Sequence, residues 1–138
     1  EGILDTLQLN KIQVMPNMIL ECSYDVSASR QATKRMLAVD TKPTAIICGN
    51  DVLAFGAVTE CQTSGILVPQ DMSIVGFDDL PLSRHMQPPL TTMHVPSEEM
   101  GRAAADYLLT RLGEETVPEH TELQVNLIVR DSAGPPRK

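Results

Sequence analysis

Two short apolar runs, each followed by polar side chains, limit the possible folds of this chain more than any other feature. The first, TAIIC at residues 44–48, leads to Asn50, and the second, SIVGF at residues 73–77, leads to Asp78. Apolar runs of this length followed by helical patterns are typical of buried parallel strands in α/β proteins. Ligands of such proteins bind beyond the carboxyl ends of the strands, where both polar clusters fall. The sequence therefore predicts a small-molecule site at this edge of a parallel sheet.

Helical and strand patterns alternate along the rest of the chain. The predicted helices span about residues 1–11, 27–37, 50–64 and 97–112, and the predicted strands span residues 18–22 (MILEC), 44–48, 73–77 and 123–129. The expected N-caps are Ser27, Ser97 and either Asn50 or Asp51. The alternation predicts an α/β fold with a doubly wound parallel sheet. Because it opens on a helix, we expect a first strand upstream of Glu1.

Two of the predicted helices differ in how much of their surface is apolar. The helix at residues 50–64 begins with VLAFGAV, which is apolar on nearly every face. Such a helix either lies deep in the core or also contacts a partner subunit, and the sequence favours neither. The helix at residues 97–112 has a single apolar stripe that predicts its buried face. The stripe consists of Met100, Ala104, Tyr107, Leu108 and Leu112.

The charge of the chain argues against direct nucleic-acid binding. Its 138 residues include 18 acidic and 11 basic side chains, which gives a formal net charge of −7. Binding to nucleic acid begins with a basic surface, so we do not expect this chain to contact DNA through its own residues. The sequence contains neither an apolar run of about 18 residues nor a signal-peptide pattern, which argues against a membrane span and against export.

The cysteines and histidines predict neither a disulfide nor a metal site. Cys22, Cys48 and Cys61 form no CxxC pair, and they lie in two predicted strands and one predicted helix. We therefore expect free, buried thiols in a reducing compartment, which indicates a cytoplasmic location. The three histidines share no ligand spacing with the cysteines, so no metal or other cofactor is expected. These histidines are His85, His94 and His120.

Five segments of the chain resemble consecutive signatures of one protein family. They are PTAIICGNDVLAFGAV, GILVPQDMSIVGFDD, PPLTTM, MGRAAADYLL and LIVRDS. In order and spacing they resemble the lactose-repressor/galactose-repressor family of bacterial transcription regulators. The resemblance implies an effector-binding core of two lobes, similar to periplasmic sugar-binding proteins. It also implies a preceding helix-turn-helix that binds operator DNA, and assembly as a homodimer or higher oligomer.

The resemblance divides the chain into three parts. Residues 1–90 would form most of the C-terminal lobe without its first strand. Residues 91–121 would hold the crossing between the lobes and a helix that packs on the N-terminal lobe, and residues 122–138 would form a returning strand and the tail. The helix would then lack its usual cover, so we expect this chain to dimerise, to exchange segments or to stay partly loose.

The resemblance also assigns candidate site residues. Asp78 would bind effector hydroxyl groups, because a carboxylate accepts two or more such hydrogen bonds. Asn50 would contact the effector through its amide, with helix capping as the alternative role. Tyr24 would stack on the ligand, with an ordinary exposed tyrosine as the alternative. Asp51 and Asp79 are expected to be structural, Asp51 as the helix cap itself.

Three further residues fall where dimers of this family pair. They are Phe55, Leu82 and Met86, which we expect at a dimer interface. Two departures leave the effector open. The family's effector-binding arginine would lie upstream of this chain, and Val95 and Ser97 stand where some sugar-binding members place a polar or aromatic contact. Sugars, sugar acids, nucleosides and purines all fit the sequence, and a sugar or sugar acid is favoured.

Three functions are compatible with these residues. The first, which we favour, is the effector-binding and dimerisation part of a transcriptional repressor without enzyme activity. The second is a periplasmic-type sugar-binding protein of a transport system, which unpaired cysteines and the missing export signal disfavour. The third is an enzyme or phosphoacceptor that holds Mg²⁺ with Asp51, Asp78 and Asp79. The sequence has no P-loop and no G-x-S-x-G motif to support that chemistry.

Overall fold

The computed structural model of the chain describes residues 2–113 and 120–135. The predicted helix start at Glu1, part of the predicted 91–121 segment and the end of the tail lie outside these residues. The helices are α1 (Gly2–Leu9), α2 (Val26–Leu37), α3 (Asp51–Thr63) and α4 (Ser97–Leu112), and the strands are β1 (Ala45–Ile47), β2 (Ser73–Asp78), β3 (Thr91–His94) and β4 (Asn126–Ile128). Short 3-10 helices lie at Pro16–Met18 and Ser83–His85.

The four strands form one mixed sheet in the order β1-β2-β3-β4. β1 pairs with β2, and β2 with β3, in parallel, as the apolar runs predict. β4 is antiparallel to β3, so the predicted α/β fold has a mixed sheet whose last strand departs from the parallel order. The chain returns to the sheet edge after α4 in the opposite direction, which an antiparallel pairing allows.

The core lies between the sheet and the α2–α3 layer. Ile46 of β1 and Ile74 of β2 are buried on the side of α3, whereas Ile47 is half exposed on the other side, as the twofold alternation of a strand requires. α3 is buried along most of its length, and Phe55 is only 8% exposed and belongs to the core cluster. Burial within the chain therefore accounts for the all-round apolar character of this helix.

The MILEC segment does not form the predicted strand. A 3-10 helix occupies Pro16–Met18, and residues 19–23 have no regular secondary structure. Leu20 and Cys22 line a small cavity whose other side is formed by Ile46 and Cys48 at the edge of β1. The segment therefore lies beside β1 without forming a strand of the sheet. Cys22 is consequently a partly buried free thiol outside any strand, whereas Cys48 and Cys61 are buried as predicted.

The predicted buried face of α4 is exposed. α4 contains no buried residue, and Leu108 is 61% and Leu112 81% exposed. Periodicity correctly predicts the helix, but a stripe becomes buried only where another element packs against it. In the described part of the chain, only Thr121 and Leu123 line the open cavity beside this stripe together with α4 residues.

Two of the predicted N-caps are wrong by one or two residues. Asp25, rather than Ser27, caps α2, because its side chain accepts a hydrogen bond from the Ala28 amide. Ser97 is the first residue of α4, and Pro96 precedes it without a side-chain cap. For α3 the cap is Asn50, which leaves Asp51 inside the helix. The predicted end of α3 is confirmed, since Gly65 follows it with a left-handed φ of 72°.

Candidate functional site

The parallel register brings Asn50 and Asp78 to the same edge of the sheet. Ile47 of β1 is opposite Val75 of β2, and each of the two polar residues lies three positions further along its own segment. The side chain of Asn50 accepts a hydrogen bond from the Leu53 amide at 2.9 Å, so its carbonyl oxygen caps α3. Its NH₂ group is left to donate to a ligand at the edge.

Asp78 has an unusual backbone conformation at the end of β2. Its φ is 113° and that of Asp79 is 58°, both in a range that residues other than glycine adopt rarely. Burial, and then the nearby carboxylate of Asp51, raise the pKa of Asp78. Within residues 2–113 and 120–135, Asp78 forms no ion pair. It is thus a carboxylate held in a strained turn with its hydrogen-bonding capacity available, a combination found at binding sites.

Asp51 is fully buried and joins three parts of the molecule. One carboxylate oxygen accepts the Leu80 amide at 2.8 Å and the Ser83 hydroxyl at 2.5 Å. The other oxygen accepts the Thr92 hydroxyl at 2.6 Å. The sequence correctly indicates a structural residue, but the expected capping role is wrong, because Asn50 performs it.

Asp79 is neutralised by a cluster that the sequence analysis did not anticipate. Its carboxylate accepts a hydrogen bond from Arg130 Nη2 at 2.6 Å and lies 3.2 Å from His94 Nδ1. Arg130 also donates to the Leu90 carbonyl oxygen at 2.8 Å. Burial alone would raise the pKa of Asp79, but the Arg130 hydrogen bond and charge, followed by those of His94, bring it below its ordinary value. The only signal in the sequence is a basic residue directly after the closing strand.

The remaining predicted site residues differ in their surroundings. Tyr24 is 76% exposed and immediately precedes the cap of α2. Val95 approaches the site through its amide, which lies 3.5 Å from the Asp78 carbonyl oxygen, and Ser97 is exposed. Of the residues predicted at a dimer interface, Leu82 is 52% exposed, whereas Phe55 is buried in the core and Met86 packs partly against it.

The described residues at this edge offer hydrogen-bonding groups for a ligand. Among them, no group of three or more His, Cys, Asp or Glu side chains is arranged to hold a metal ion. Burial raises the pKa of Cys48 to about 12 and that of Cys61 to about 11, which makes both thiols poor nucleophiles. The edge instead offers an amide donor at Asn50 and a carboxylate acceptor at Asp78. In the part of the chain that the structure describes, no helix is long and apolar enough to span a membrane.

Comparison with known proteins shows the same architecture in a set of regulators. A family model described as a periplasmic binding protein-like domain matches residues 1–133. The HTH-type transcriptional repressor PurR of Haemophilus influenzae (strain PittEE) is 35% identical over 136 residues, which are 96% of this chain and 40% of the relative.

Two solved structures extend the comparison. A putative transcriptional regulator LacI from Bacillus cereus subsp. cytotoxis superimposes with a TM-score of 0.92 at 28% identity, over 96% of this chain and 48% of that one. A LacI family transcriptional regulator from Lactobacillus casei, solved with bound sucrose, has a TM-score of 0.84 at 26% identity, over 96% and 49% of the two chains. This chain therefore spans less than half the length of each of these three proteins.

Proposed function

Because the chain belongs to the periplasmic binding protein-like family and, within it, to the LacI-type transcriptional regulators, we propose that it binds a sugar or sugar acid as the effector of a DNA-binding repressor. The effector would shift the balance between lobe arrangements, which changes the spacing of the DNA-binding heads and needs no catalysis. Operator DNA would be bound by a helix-turn-helix elsewhere in the complete regulator, in the cytoplasm.

The effector proposal depends on one observation, the position and the available carboxylate of Asp78. Asp78 is the last residue of β2 at the carboxyl edge of the sheet, and its backbone has a strained φ of 113°. Its carboxylate has no ion-pair partner among the described residues. Ionised, it can accept hydrogen bonds from two vicinal hydroxyl groups, while Asn50 donates from the neighbouring segment. Sucrose in the Lactobacillus casei regulator supports a sugar as the ligand of this fold.

The charges at this edge favour a neutral sugar over a sugar acid. Asp79 is neutralised by Arg130, whereas Asp78 and the buried Asp51 leave negative charge beside the proposed ligand. A sugar carboxylate would be repelled there unless a cation from the rest of the site compensated for it. We therefore rank neutral sugars first and sugar acids second.

We further propose how the chain is divided within the two-lobe core. Residues 1–90 would contribute most of the C-terminal lobe, residues 91–121 the crossing and a helix of the N-terminal lobe, and residues 122–138 the returning strand and the tail. The nearly complete exposure of α4 supports this division, since a helix with an apolar stripe needs a surface to pack on. Leu82 and Met86, with Phe55 behind them, would lie at the interface of a homodimer.

Calorimetric titration tests the effector proposal. Sucrose, glucose, gluconate and a purine base would be titrated into the 138-residue chain and into a protein extended to the length of its relatives. We expect binding of a neutral sugar to be lost in Asp78→Ala and retained in Asp40→Ala, an exposed acid before β1 at the opposite edge of the sheet. Binding that survives Asp78→Ala would place the site elsewhere, and purine binding alone would replace the sugar proposal.

A further inference from the structure

We propose that Asp51 is the positioning residue of the candidate site, whose buried carboxylate holds the 78–83 loop in its binding conformation and ties it to β3. The part of this inference that concerns the ligand rests on the proposed function of Asp78. The part that concerns the loop depends only on the hydrogen bonds of Asp51 and can be tested without a ligand.

The hydrogen bonds of Asp51 connect segments that are distant in sequence. Its donors are the Leu80 amide, the Ser83 hydroxyl and the Thr92 hydroxyl, at 2.5–2.8 Å. Two of them belong to the segment that follows Asp78, and the third belongs to β3, which leads towards α4. Helix α3 does not need this carboxylate as a cap, because the Asn50 side chain already accepts from the first turn.

Burying the Asp51 carboxylate costs free energy, which its hydrogen bonds must offset. Its side chain is fully buried, and within the described residues no Lys, Arg or His forms an ion pair with it. A buried carboxylate is costly, and here only three donors and the amino end of α3 stabilise its charge. The glycine at position 76 of β2 makes room for this carboxylate, since a Cβ atom there would overlap Asp51 Oδ1.

The loop that Asp51 holds is strained. Asp78 and Asp79 have φ values of 113° and 58°, so the backbone needs restraints on both sides to keep this shape. Arg130 restrains Asp79, and Asp51 restrains Leu80 and Ser83 directly afterwards. Without the Asp51 contacts, the loop can relax and carry the Asp78 carboxylate away from the ligand position. Ser83 also lies next to Leu82, so the same contacts link the site to the proposed dimer surface.

Amide hydrogen exchange and sucrose titration on Asp51→Ala test the inference. Alanine removes both carboxylate oxygens, which leaves the Leu80 amide and the Ser83 and Thr92 hydroxyl groups without their acceptor. We expect the Leu80 amide to exchange about tenfold faster or more, the factor for one lost hydrogen bond. Sucrose affinity should fall by a similar factor, whereas the Ile74 amide, bonded to the Ser132 carbonyl oxygen, should be unaffected beyond any global change.

Ser132→Ala is the matched control. The Ser132 hydroxyl is also fully buried, accepts the Thr91 amide at 2.8 Å and donates to the Ile74 carbonyl oxygen at 2.6 Å, but does not touch the loop. Ser132→Ala should lower the melting temperature without selectively increasing the exchange rate of the Leu80 amide. If Asp51→Ala lowers the melting temperature in the same unselective way, Asp51 is merely structural and the inference is wrong.

A second variant covers the case in which Asp51→Ala does not fold. Ser83→Ala keeps the carboxylate and removes one donor, so we expect faster exchange at Leu80 by a smaller factor than in Asp51→Ala. Unchanged exchange at Leu80 in Ser83→Ala would contradict the inference. If the wild-type chain does not bind sucrose, that result counts against the proposed ligand, while the exchange data still decide the role of Asp51.

Discussion

The pKa values of Asp78, the last residue of β2, and of Asp79, which follows it, are shifted in opposite directions. The pKa of Asp78 is raised by burial and by Asp51, so ionised Asp78 opposes folding near neutral pH. We expect Asp78→Asn to increase the free energy of unfolding at pH 7 while abolishing effector binding. Because the folded pKa lies above the unfolded one, the difference from wild type should shrink as the pH falls through the folded pKa. Urea denaturation across this range measures it, and a less stable variant at pH 7 would contradict it.

Asp79 should show the reverse pH dependence. Burial would raise its pKa, but Arg130 and His94 together bring it below the unfolded value. Its contribution to stability is therefore complete above the unfolded pKa of about 4 and is lost as the pH falls through the folded pKa. We expect Asp79→Asn to cost about 1–3 kcal/mol at pH 7 and progressively less below pH of about 4.

Glu98→Gln provides the control for Asp79→Asn. Glu98 pairs with Arg102 on the surface of α4, and its side chain is 90% exposed. Exposed ion pairs contribute little, so this change should alter the free energy of unfolding by no more than about 0.5 kcal/mol. An equal effect of both substitutions would show that the Asp79 cluster is no more stabilising than a surface pair.

Among the helices, α2 and α3 approach each other closely at one glycine. A Cβ atom at Gly56 would lie 2.5 Å from the Ser29 Cβ and 2.7 Å from the Val26 carbonyl oxygen. Gly56→Ala therefore forces the helices apart, and we expect it to cost about 1–3 kcal/mol in denaturant unfolding. Gly101→Ala is the matched change, because a Cβ atom there meets nothing within 4 Å on α4. It should be neutral or stabilise by up to about 1 kcal/mol.

Sequence periodicity predicts the elements of this fold better than their partners. The α3 helix, the parallel pairing of β1 and β2 and the positions of Asn50 and Asp78 follow from local patterns that packing reinforces. The MILEC segment has strand-like residues, but in the part of the chain that the structure describes it joins no sheet. The periodicity of α4 likewise predicts a helix correctly, but the apolar stripe that it marks is exposed and not buried. The Asp51 and Asp79 clusters join residues 15–51 positions apart, and such contacts depend on the completed fold.

At the scale of the whole molecule, the chain combines a packed core with a helix that has little cover. The core consists of the sheet and the α2–α3 layer, whereas α4 lies beside an open cavity of about 440 Å³ lined by apolar side chains. Few buried contacts imply low local stability. We expect amides of α4 to exchange much faster than those of α3, which hydrogen exchange measures directly. Equal protection of the two helices would show that α4 is covered in solution, by a second copy or by exchanged segments.

Two exposed apolar surfaces are candidates for the contact in the proposed dimer, the surface around Leu82 and the stripe of α4. Charge substitutions distinguish between them. Leu82 is 52% exposed beside Ser83, which Asp51 connects to the candidate site. If this surface pairs two copies, Leu82→Glu should weaken dimerisation about tenfold or more in sedimentation over a concentration series, because it places a charge in a desolvated contact. Leu67→Glu is the matched control, with 54% exposure in the turn before β2. If Leu82→Glu leaves self-association unchanged and Leu108→Glu reduces it, the contact lies on α4. The proposed link from Asp78 through Asp51 and Ser83 to the subunit interface would then be wrong, because that link requires Leu82 to lie at the interface.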